Sequence, residues 1–199
     1  MKIGIIPVGS YMTNCYIVID EITNESIIID PGDDAERLLD EFNKTGSHLN
    51  FIILTHGHAD HTAAVAEFRS KYAVDVYMSK KDSELIEKEE YMFGEKNENA
   101  NKFIKDGDVL KFGSKNVKCI ETPGHTPGGM CYLIENSLFS GDTLFNNSVG
   151  RTDFPGGDYA AIISSIKNKL MKLDDNIKVY PGHGSETTIG FERRSNPFL

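Results

Sequence analysis

The chain has 199 residues, of which 30 are Asp or Glu and 21 are Lys or Arg, so its formal net charge is −9. A chain of this length buries about 70% of the surface that its unfolded form would expose, so it needs no disulfide bonds to be stable. The acidic balance and the absence of a Lys/Arg-rich run argue against a nucleic-acid partner, because binding a phosphate backbone requires clustered positive charge.

The apolar segments are too short for secretion or membrane insertion. The amino-terminal stretch MKIGIIPVGSYMTNCYIVID lacks an apolar core of secretory length, and no later run reaches the roughly 20 residues of a membrane span. Cys15, Cys119 and Cys131 are widely spaced and odd in number, which favours reduced, buried thiols. We therefore expect a cytoplasmic protein without a membrane partner.

Short β-branched apolar runs alternate with helical patterns along the chain, which predicts an α/β layered fold. The predicted strands are Lys2 to Ile6, Cys15 to Ile19, Ser26 to Ile29, Phe51 to Leu54, Val74 to Met78, Val109 to Phe112, Val117 to Ile120, Met130 to Ile134, Leu138 to Ser140 and Ile177 to Tyr180.

Apolar residues recur at helical spacing in three further segments. These residues are Ala35, Leu38, Leu39 and Phe42 in the first segment, Val65, Phe68 and Tyr72 in the second, and Tyr159, Ile162, Ile163, Ile166 and Leu170 in the third. Asp33 or Asp34 is placed to cap the first of these helices, and Asp158 is placed to cap the third.

From Asp82 to Lys105 the composition turns to charged and amide residues, which predicts one helix followed by a solvated connection. No Ser/Gly-rich linker divides the chain. We therefore expect a single domain over residues 1–199.

Three of the six histidines lie close together in the segment THGHADH, which directly follows a predicted strand. The segment contains a glycine, so a strand-end loop that enters a helix is expected there. In such a loop His56 and His58 can face one way while Asp60 and His61 face a neighbouring point. Imidazole and carboxylate groups are ligands of Zn²⁺. This one short loop can therefore serve two metal ions.

The remaining histidine and aspartate motifs also follow predicted strands. His125 lies in TPGHTPGG, Asp142 in LFSGDTLF and His183 in YPGHGSETTIG, each beside a glycine that lets the backbone pack closely. A single His at a strand end is more often an ordinary hydrogen-bonding residue, and Asp60 alone fits a helix N-cap. Because these separate explanations would all have to hold at once, a shared metal site is the better hypothesis. Only His48, in TGSHLN, is left as an ordinary surface residue.

These motifs resemble the metallo-β-lactamase-fold hydrolases, whose signature T-H-x-H-x-D-H matches THGHADH without a departure. The segments GRTDFPGGD and TTIGFERRSNPFL make the chain most similar to the short glyoxalase II-like hydrolases, relatives of hydroxyacylglutathione hydrolase. The resemblance implies a four-layer αβ/βα sandwich, with two mixed sheets face to face, helices outside and the site along one edge. Full-length hydroxyacylglutathione hydrolases have a further carboxy-terminal helical region that contacts the thiol. We expect no such region here, which leaves the recognition of glutathione open.

The resemblance also implies a role for each clustered side chain. A first metal would be held by His56, His58 and His125. A second metal would be held by Asp60, His61 and His183. Asp142 would bridge the two metals. Two divalent ions, Zn or alternatively Fe or Mn, would hold a bridging hydroxide that Asp60 orients toward the acyl carbon of a thioester. A thiol with a pKa near ~8.5 leaves without a strong general acid. The expected partner is a small-molecule thioester, and the sequence indicates no oligomeric state.

The loop Leu144 to Gly157 follows the proposed bridging aspartate and is expected to overhang the site. Asn146 and Asn147 are candidate substrate contacts. Arg151 either contacts substrate or braces the loop by pairing with Asp153.

Two further features invite structural interpretations. Asp30, in IIDPGDD, is expected to brace the site loops from a strand end. Met92 and Phe93 lie in an otherwise polar connection, where they form either a mobile cover or an anchor in the core.

Two other functions remain open. GRTDF and THGHADH also resemble the sulfur dioxygenases of this fold, in which a single iron, held here by His56, His125 and Asp142, would act on a persulfide. The PGHG motif after Tyr180 is typical of the hydrolases and favours the hydrolase. A non-catalytic metal-binding module, or another hydrolase of the fold, is the remaining alternative.

Overall fold

The computed structural model describes residues 1–199 and contains two large β-sheets and one short hairpin. The strands are β1 (Lys2–Val8), β2 (Thr13–Asp20), β3 (Glu25–Ile29), β4 (His48–Ile53), β5 (Asp75–Ser79), β6 (Lys102–Ile104), β7 (Val109–Phe112), β8 (Lys115–Glu121), β9 (Met130–Ile134), β10 (Ser137–Gly141), β11 (Leu144–Phe145), β12 (Ser148–Val149), β13 (Lys178–Pro181) and β14 (Thr187–Thr188). The helices are α1 (Ala35–Thr45), α2 (Ala59–Thr62), α3 (Val65–Tyr72), α4 (Lys80–Glu87), α5 (Tyr159–Asn168) and α6 (Ile189–Ser195), with 3₁₀ turns at Lys96–Glu98 and Leu170–Lys172.

Both large sheets are mixed. The first has the order β1-β2-β3-β4-β5-β6, antiparallel from β1 to β3 and parallel from β3 to β6. The second has the order β14-β13-β10-β9-β8-β7 and is antiparallel except where β10 lies parallel to β13. Strands β11 and β12 form the separate hairpin.

The apolar core is divided into layers by these sheets. One cluster joins the first sheet to α1, α3 and α4 and includes Leu38 and Phe68. A second lies between the sheets and includes Ile27 and Tyr132. A third joins the second sheet to α5 and includes Ile162. The order helix, sheet, sheet, helix confirms the predicted four-layer sandwich.

Strand β2 shows why the strands read as continuous apolar runs. Cys15 and Ile17 belong to the helix-side cluster, whereas Tyr16 and Val18 belong to the cluster between the sheets. Alternate side chains of a strand point to opposite faces, and both faces of this sheet are covered. Every residue of β2 is therefore buried.

All the predicted strands are present, with small differences at their ends. The prediction for Asp82 to Lys105 was incomplete, because this segment also supplies the edge strand β6 (Lys102–Ile104) and buries Phe93 and Glu98. A three-residue edge strand with exposed side chains has no alternating pattern that a sequence reading detects. Strands β11, β12 and β14 were missed because each has only two residues, too few to show an alternating pattern.

The helix-cap predictions have different outcomes. Asp158 Oδ1 accepts a hydrogen bond from Ala161 N at 3.0 Å and caps α5, as predicted. Asp34 occupies the N-cap position of α1 but makes no side-chain cap bond, and its φ is 51°. Its carboxylate instead accepts a hydrogen bond from Gly9 N at 3.2 Å. The predicted capping bond at this end is therefore wrong.

The three cysteines, Cys15, Cys119 and Cys131, are free and buried, as predicted. Burial raises the pKa of the Cys131 thiol to about 11, so it is not a nucleophilic thiolate at neutral pH. None of the helices is both long enough and apolar enough to cross a membrane. The single domain and the cytoplasmic location stay predictions.

Candidate metal centre

The site lies along one edge of the sandwich, where loops from both sheets meet. The loop between β4 and α2 carries the motif THGHADH. In the second sheet, β8, β10 and β13 run in the same direction, so their carboxyl ends share one edge. His125, Asp142 and His183 follow these ends, which is why residues far apart in sequence come together.

The structure brings all the predicted metal-binding side chains together. Their donor atoms form three groups, each within 4.8 Å: His56, His58 and His125; His56, His61 and Asp142; and Asp60, His61 and His183. We call His56, His58 and His125 the first triplet and Asp60, His61 and His183 the second triplet. Both correspond to the ligand sets expected from the sequence.

Asp142 lies between the two triplets. Its Oδ1 is 3.5 Å from His61 Nε2, and its Oδ2 is 3.5 Å from both His125 Nε2 and His183 Nε2. The carboxylate thus reaches one histidine of the first triplet and two of the second, which is the placement expected of a bridging ligand.

The donor set fits divalent metal ions. His56 Nε2, His58 Nε2 and Asp142 Oδ1 are buried and have no hydrogen-bond partner. Leaving a buried polar atom unsatisfied costs about 1–3 kcal/mol, so such atoms are rare and require an explanation. Imidazole nitrogen and carboxylate oxygen are preferred ligands of zinc and are also accepted by iron and manganese. Metal coordination would satisfy atoms that the protein leaves without partners.

The two triplets differ in charge in the metal-free protein. Burial, together with the neighbouring His125, lowers the pKa of His58 to about 3. In the second triplet burial acts in the same direction, but the charges of Asp142 and Asp30 outweigh it and raise the pKa of His61 to about 9. Hydrogen bonds to Asp142 and Asp60 likewise outweigh burial and raise the pKa of His183 to about 10. At neutral pH the two histidines of the second triplet are therefore protonated, Asp60 is ionised because its pKa is lowered, and the His58 ring is neutral.

Asp30 fixes His61 in its orientation. Its Oδ2 accepts hydrogen bonds from His61 Nδ1 at 2.9 Å and from Thr55 Oγ1 at 2.6 Å, and its Oδ1 accepts one from Thr55 N at 2.7 Å. With Nδ1 held in this way, His61 turns Nε2 toward the site. These contacts support the predicted bracing role of Asp30.

Backbone carbonyls hold two further histidines. His125 Nδ1 donates to Arg151 O at 2.8 Å, and His183 Nδ1 donates to Tyr11 O at 3.0 Å. Each of these bonds fixes the ring tautomer and leaves Nε2 free for the site.

Asp60 points into the site and does not cap a helix. The N-cap position of α2 is His58, which makes no side-chain cap bond, and Asp60 lies in the first turn. Asp60 Oδ2 accepts a hydrogen bond from Thr13 Oγ1 at 3.0 Å and lies 3.3 Å from His183 Nε2. The N-cap alternative for Asp60 is therefore wrong.

A cleft of about 490 Å³ opens onto both triplets. Its walls away from the histidines and carboxylates are largely apolar or aromatic and include Tyr11, Met92, Phe145, Val149 and Phe154. A concave, mostly apolar space with a few converging polar groups is the usual form of a small-molecule site.

Arg151 takes the bracing role and also lines the cleft, while its contact with substrate stays a prediction. Its Nε and one terminal nitrogen donate to the two carboxylate oxygens of Asp153, both at 2.7 Å, which braces the loop. The guanidinium carbon also lies 3.8 Å from the centre of the Phe154 ring, and both residues line the cleft.

Asn146 and Asn147 do not line the cleft. Asn146 Nδ2 donates to Glu186 O at 3.2 Å, and Asn147 N donates to Glu192 Oε2 at 3.0 Å. They form the turn of the β11–β12 hairpin, in which Asn147 has a φ of 55°. The turn faces α6, and the flanking Phe145 and Ser148 line the cleft instead.

Phe93 takes the core-anchor role proposed for this segment, and Met92 lines the cleft. Phe93 is 9% exposed, and its ring centre lies 4.9 Å from that of His58. The segment is tied to the THGHADH loop by backbone hydrogen bonds from Ala59 N to Met92 O at 2.9 Å and from Gly94 N to Gly57 O at 3.0 Å. It is therefore a fixed wall rather than a mobile cover.

Sequence reasoning missed two buried carboxylates beside the site, Asp82 and Glu192, which are both 0% exposed. Asp82 shares the buried face of α4 with Ile86, four positions later, and this spacing was the available signal. Glu192 accepts hydrogen bonds from Asn147 N and from Thr187 Oγ1. It thereby anchors the hairpin that lines the cleft.

Comparison with known proteins agrees with this geometry. The family model described as the metallo-beta-lactamase superfamily matches residues 8–183. Hydroxyacylglutathione hydrolase GloC of Haemophilus influenzae is 42% identical over 209 residues, which cover 100% of this chain and 98% of that protein. The crystal structure of BLEG-1 B3 metallo-beta-lactamase is 34% identical with a TM-score of 0.91, covering 100% of this chain and 99% of that one. TTHA1623 in a di-iron-bound form is 35% identical with a TM-score of 0.88, covering 98% of this chain and 100% of that one. The chain therefore belongs to the metallo-beta-lactamase superfamily.

Proposed function

We propose that the protein is a binuclear metal-dependent hydrolase that cleaves a thioester of a small thiol, such as an S-acylglutathione. The observation that carries the proposal is the convergence of two donor triplets on the shared carboxylate of Asp142. The similarity of the chain to the hydroxyacylglutathione hydrolase GloC supports thioester hydrolysis as the reaction. The similarity of the chain to TTHA1623 in a di-iron-bound form supports a site for two metals.

The first triplet would hold one metal, the second triplet would hold the other, and Asp142 would contact both. Zinc suits this set of imidazoles and carboxylates, and iron or manganese are alternatives. Bound metals at such a site polarise a carbonyl oxygen and lower the pKa of water toward neutrality.

The protein's own groups would orient the reactants. Thr13 Oγ1 holds the Asp60 carboxylate at 3.0 Å, so Asp60 is placed to accept a hydrogen bond from the attacking water and to aim it at the acyl carbon. The apolar wall formed by Met92, Phe145 and Phe154 would exclude bulk water and seat the acyl or thiol portion of the substrate. The leaving thiolate needs no further acid from the chain, because a free thiol has a pKa of about 8.5.

The test combines metal analysis with a substrate panel. We expect two metal ions per chain, release of thiol from S-lactoylglutathione or simpler thioesters, and loss of this activity on chelation. Asp142→Asn should lose hydrolysis and metal. The matched control is Asp20→Asn, because Asp20 lies at the opposite end of β2 from Thr13 and so is remote from the site.

An oxygen electrode distinguishes the second candidate. One tightly bound iron, with oxygen uptake in the presence of a glutathione persulfide, would support a dioxygenase site of His56, His125 and Asp142. The second triplet favours the hydrolase, because a site with a single iron leaves the three donor groups of this triplet without a metal ion. Hydrolysis that survives complete chelation would contradict both functions.

A further inference from the structure

We propose that Asp82 is a positioning residue that sets the geometry of the first triplet and has no such role for the second. The inference rests on the ligand sets given under the proposed function. Asp82 lies outside both triplets, and the role proposed for it concerns the first metal position only.

The contacts of Asp82 all go to residues within three positions of the histidines of the first triplet. Its Oδ2 accepts hydrogen bonds from Gly57 N at 3.0 Å and from Thr126 Oγ1 at 2.7 Å, and its Oδ1 accepts one from Gly128 N at 2.7 Å. Gly57 stands between His56 and His58, and Thr126 directly follows His125. One carboxylate on α4 thus joins a loop of the first sheet to a loop of the second.

The chemistry at this position requires a carboxylate. Asp82 is 0% exposed, and the three groups that donate hydrogen bonds to its carboxylate are all neutral. An asparagine cannot replace it, because either orientation of the amide sets its NH₂ group against the backbone N–H of Gly57 or of Gly128. Burying this charge is costly, but an asparagine at the same position would leave a buried backbone N–H without an acceptor.

The loops leave little room for adjustment around this carboxylate. A Cβ atom on Gly128 would lie 2.5 Å from Asp82 Oδ1, and a Cβ atom on Gly57 would lie 2.9 Å from the Phe93 ring. Both loops approach Asp82 through glycine, and a shift of the carboxylate would move both loops.

The first triplet depends on the hydrogen bonds from Asp82 to the loop backbone, because the ring of His58 has no hydrogen bond of its own to a group outside the site. His58 Nδ1 faces His125 Nε2 at 3.0 Å, and His58 Nε2 has no hydrogen-bond partner. No hydrogen bond from outside the site orients the ring, so its position follows from the backbone at Gly57 and from packing against Phe93.

The second triplet is supported by other groups. Asp30 holds His61 Nδ1, Tyr11 O accepts from His183 Nδ1, and Thr13 Oγ1 donates to Asp60. None of these contacts involves Asp82. Asp30 also reaches the first triplet, because it accepts from Thr55 Oγ1, which lies 3.1 Å from His56 Nδ1. Asp82, in contrast, touches none of the groups that hold the second triplet.

The test measures metal binding to each triplet separately and without substrate. In a His183→Ala background, which disables the second triplet, Asp82→Asn should weaken the remaining zinc affinity about 10–100-fold, the usual effect of losing a group that orients ligands. In a His58→Ala background, which disables the first triplet, Asp82→Asn should leave the zinc affinity within about twofold. Apoprotein titrations against a chromogenic zinc chelator give both values.

Asp20→Asn is the matched control. Asp20 is also 0% exposed and accepts hydrogen bonds from Ser114 N at 2.7 Å and Thr23 Oγ1 at 3.0 Å, at the far end of β2. It should change neither zinc affinity. If Asp82→Asn does not fold, Thr126→Val removes one donor and keeps the carboxylate paired with two, and it should weaken only the first position, by a few-fold.

An equal loss at both positions, or a folded Asp82→Asn protein with unchanged affinity at the first, would overturn the inference. Failure of the wild-type protein to bind zinc, iron or manganese would overturn the proposed function instead. The two failures are distinguishable because the wild-type titration is read before any variant.

Discussion

Replacement of Asp30 by asparagine is a direct perturbation of the second triplet. Asp30 is 1% exposed and accepts three hydrogen bonds, from Thr55 N, Thr55 Oγ1 and His61 Nδ1. An asparagine presents one acceptor oxygen and sets its NH₂ group against at least one of these donors. Because a buried donor without an acceptor costs about 1–3 kcal/mol, we expect Asp30→Asn to lower the free energy of unfolding of the metal-free protein by that amount.

The same substitution should act on metal binding mainly at one position. Loss of the negative partner of His61 should weaken zinc at the second triplet about tenfold, the lower end of the usual range for such groups. Asp30 reaches the first triplet only through Thr55, whose Oγ1 lies 3.1 Å from His56 Nδ1, so the zinc affinity there should change less. Urea unfolding of the apoprotein and zinc titration in the His58→Ala background measure the two effects.

Asp158→Asn is the control for this substitution. Asp158 is exposed and caps α5, and asparagine is an equally good N-cap, so the free energy of unfolding should change by less than about 0.5 kcal/mol. Wild-type stability together with wild-type zinc affinity in Asp30→Asn would refute the reasoning.

Three further predictions concern the cleft and protonation. Phe154→Ala removes an aromatic wall of the cleft and should raise KM for bulky thioesters about tenfold with kcat nearly unchanged, as steady-state kinetics will show. Glu192→Gln removes the charged acceptor of Asn147 N and should loosen the hairpin, raising KM more than it lowers kcat; equal changes in both would contradict this. Nearby carboxylates outweigh burial and raise the pKa of His61 to about 9 and of His183 to about 10. Zinc binding to the second triplet at pH 7 must therefore displace protons from these two rings. The zinc affinity of the second triplet should rise with pH up to that range. Calorimetry in buffers of different ionisation enthalpy counts the protons released, and a release of none would contradict the assignment.

The ligand positions could be predicted because their signals are local. THGHADH, His125, Asp142 and His183 each follow a strand whose apolar run is visible in the sequence, and the fold places those strand ends on one edge. The layered α/β fold followed from the same runs, because a strand covered on both faces, such as β2, is buried along its whole length. The four-layer arrangement was implied by the resemblance to the metallo-β-lactamase-fold hydrolases.

The supporting groups and the cleft walls could not be predicted, because they depend on contacts between distant segments. Asp82 looks like an ordinary helix-surface acid until α4 is packed against the loops that carry Gly57 and Gly128. The place of Asn146 and Asn147 in the loop predicts substrate contacts, but in the hairpin turn they bond to Glu186 and Glu192 instead of lining the cleft. Side-chain direction at a tight turn is set by backbone geometry that composition does not reveal.

Thiol release followed during stepwise zinc addition to the apoprotein tests the central proposal most directly. We predict that hydrolysis of S-lactoylglutathione or a simpler thioester rises with added zinc, saturates at two equivalents per chain and disappears again on chelation. Full activity in the chelated protein would contradict the account, and so would a single tightly bound iron that supports oxygen uptake and no hydrolysis.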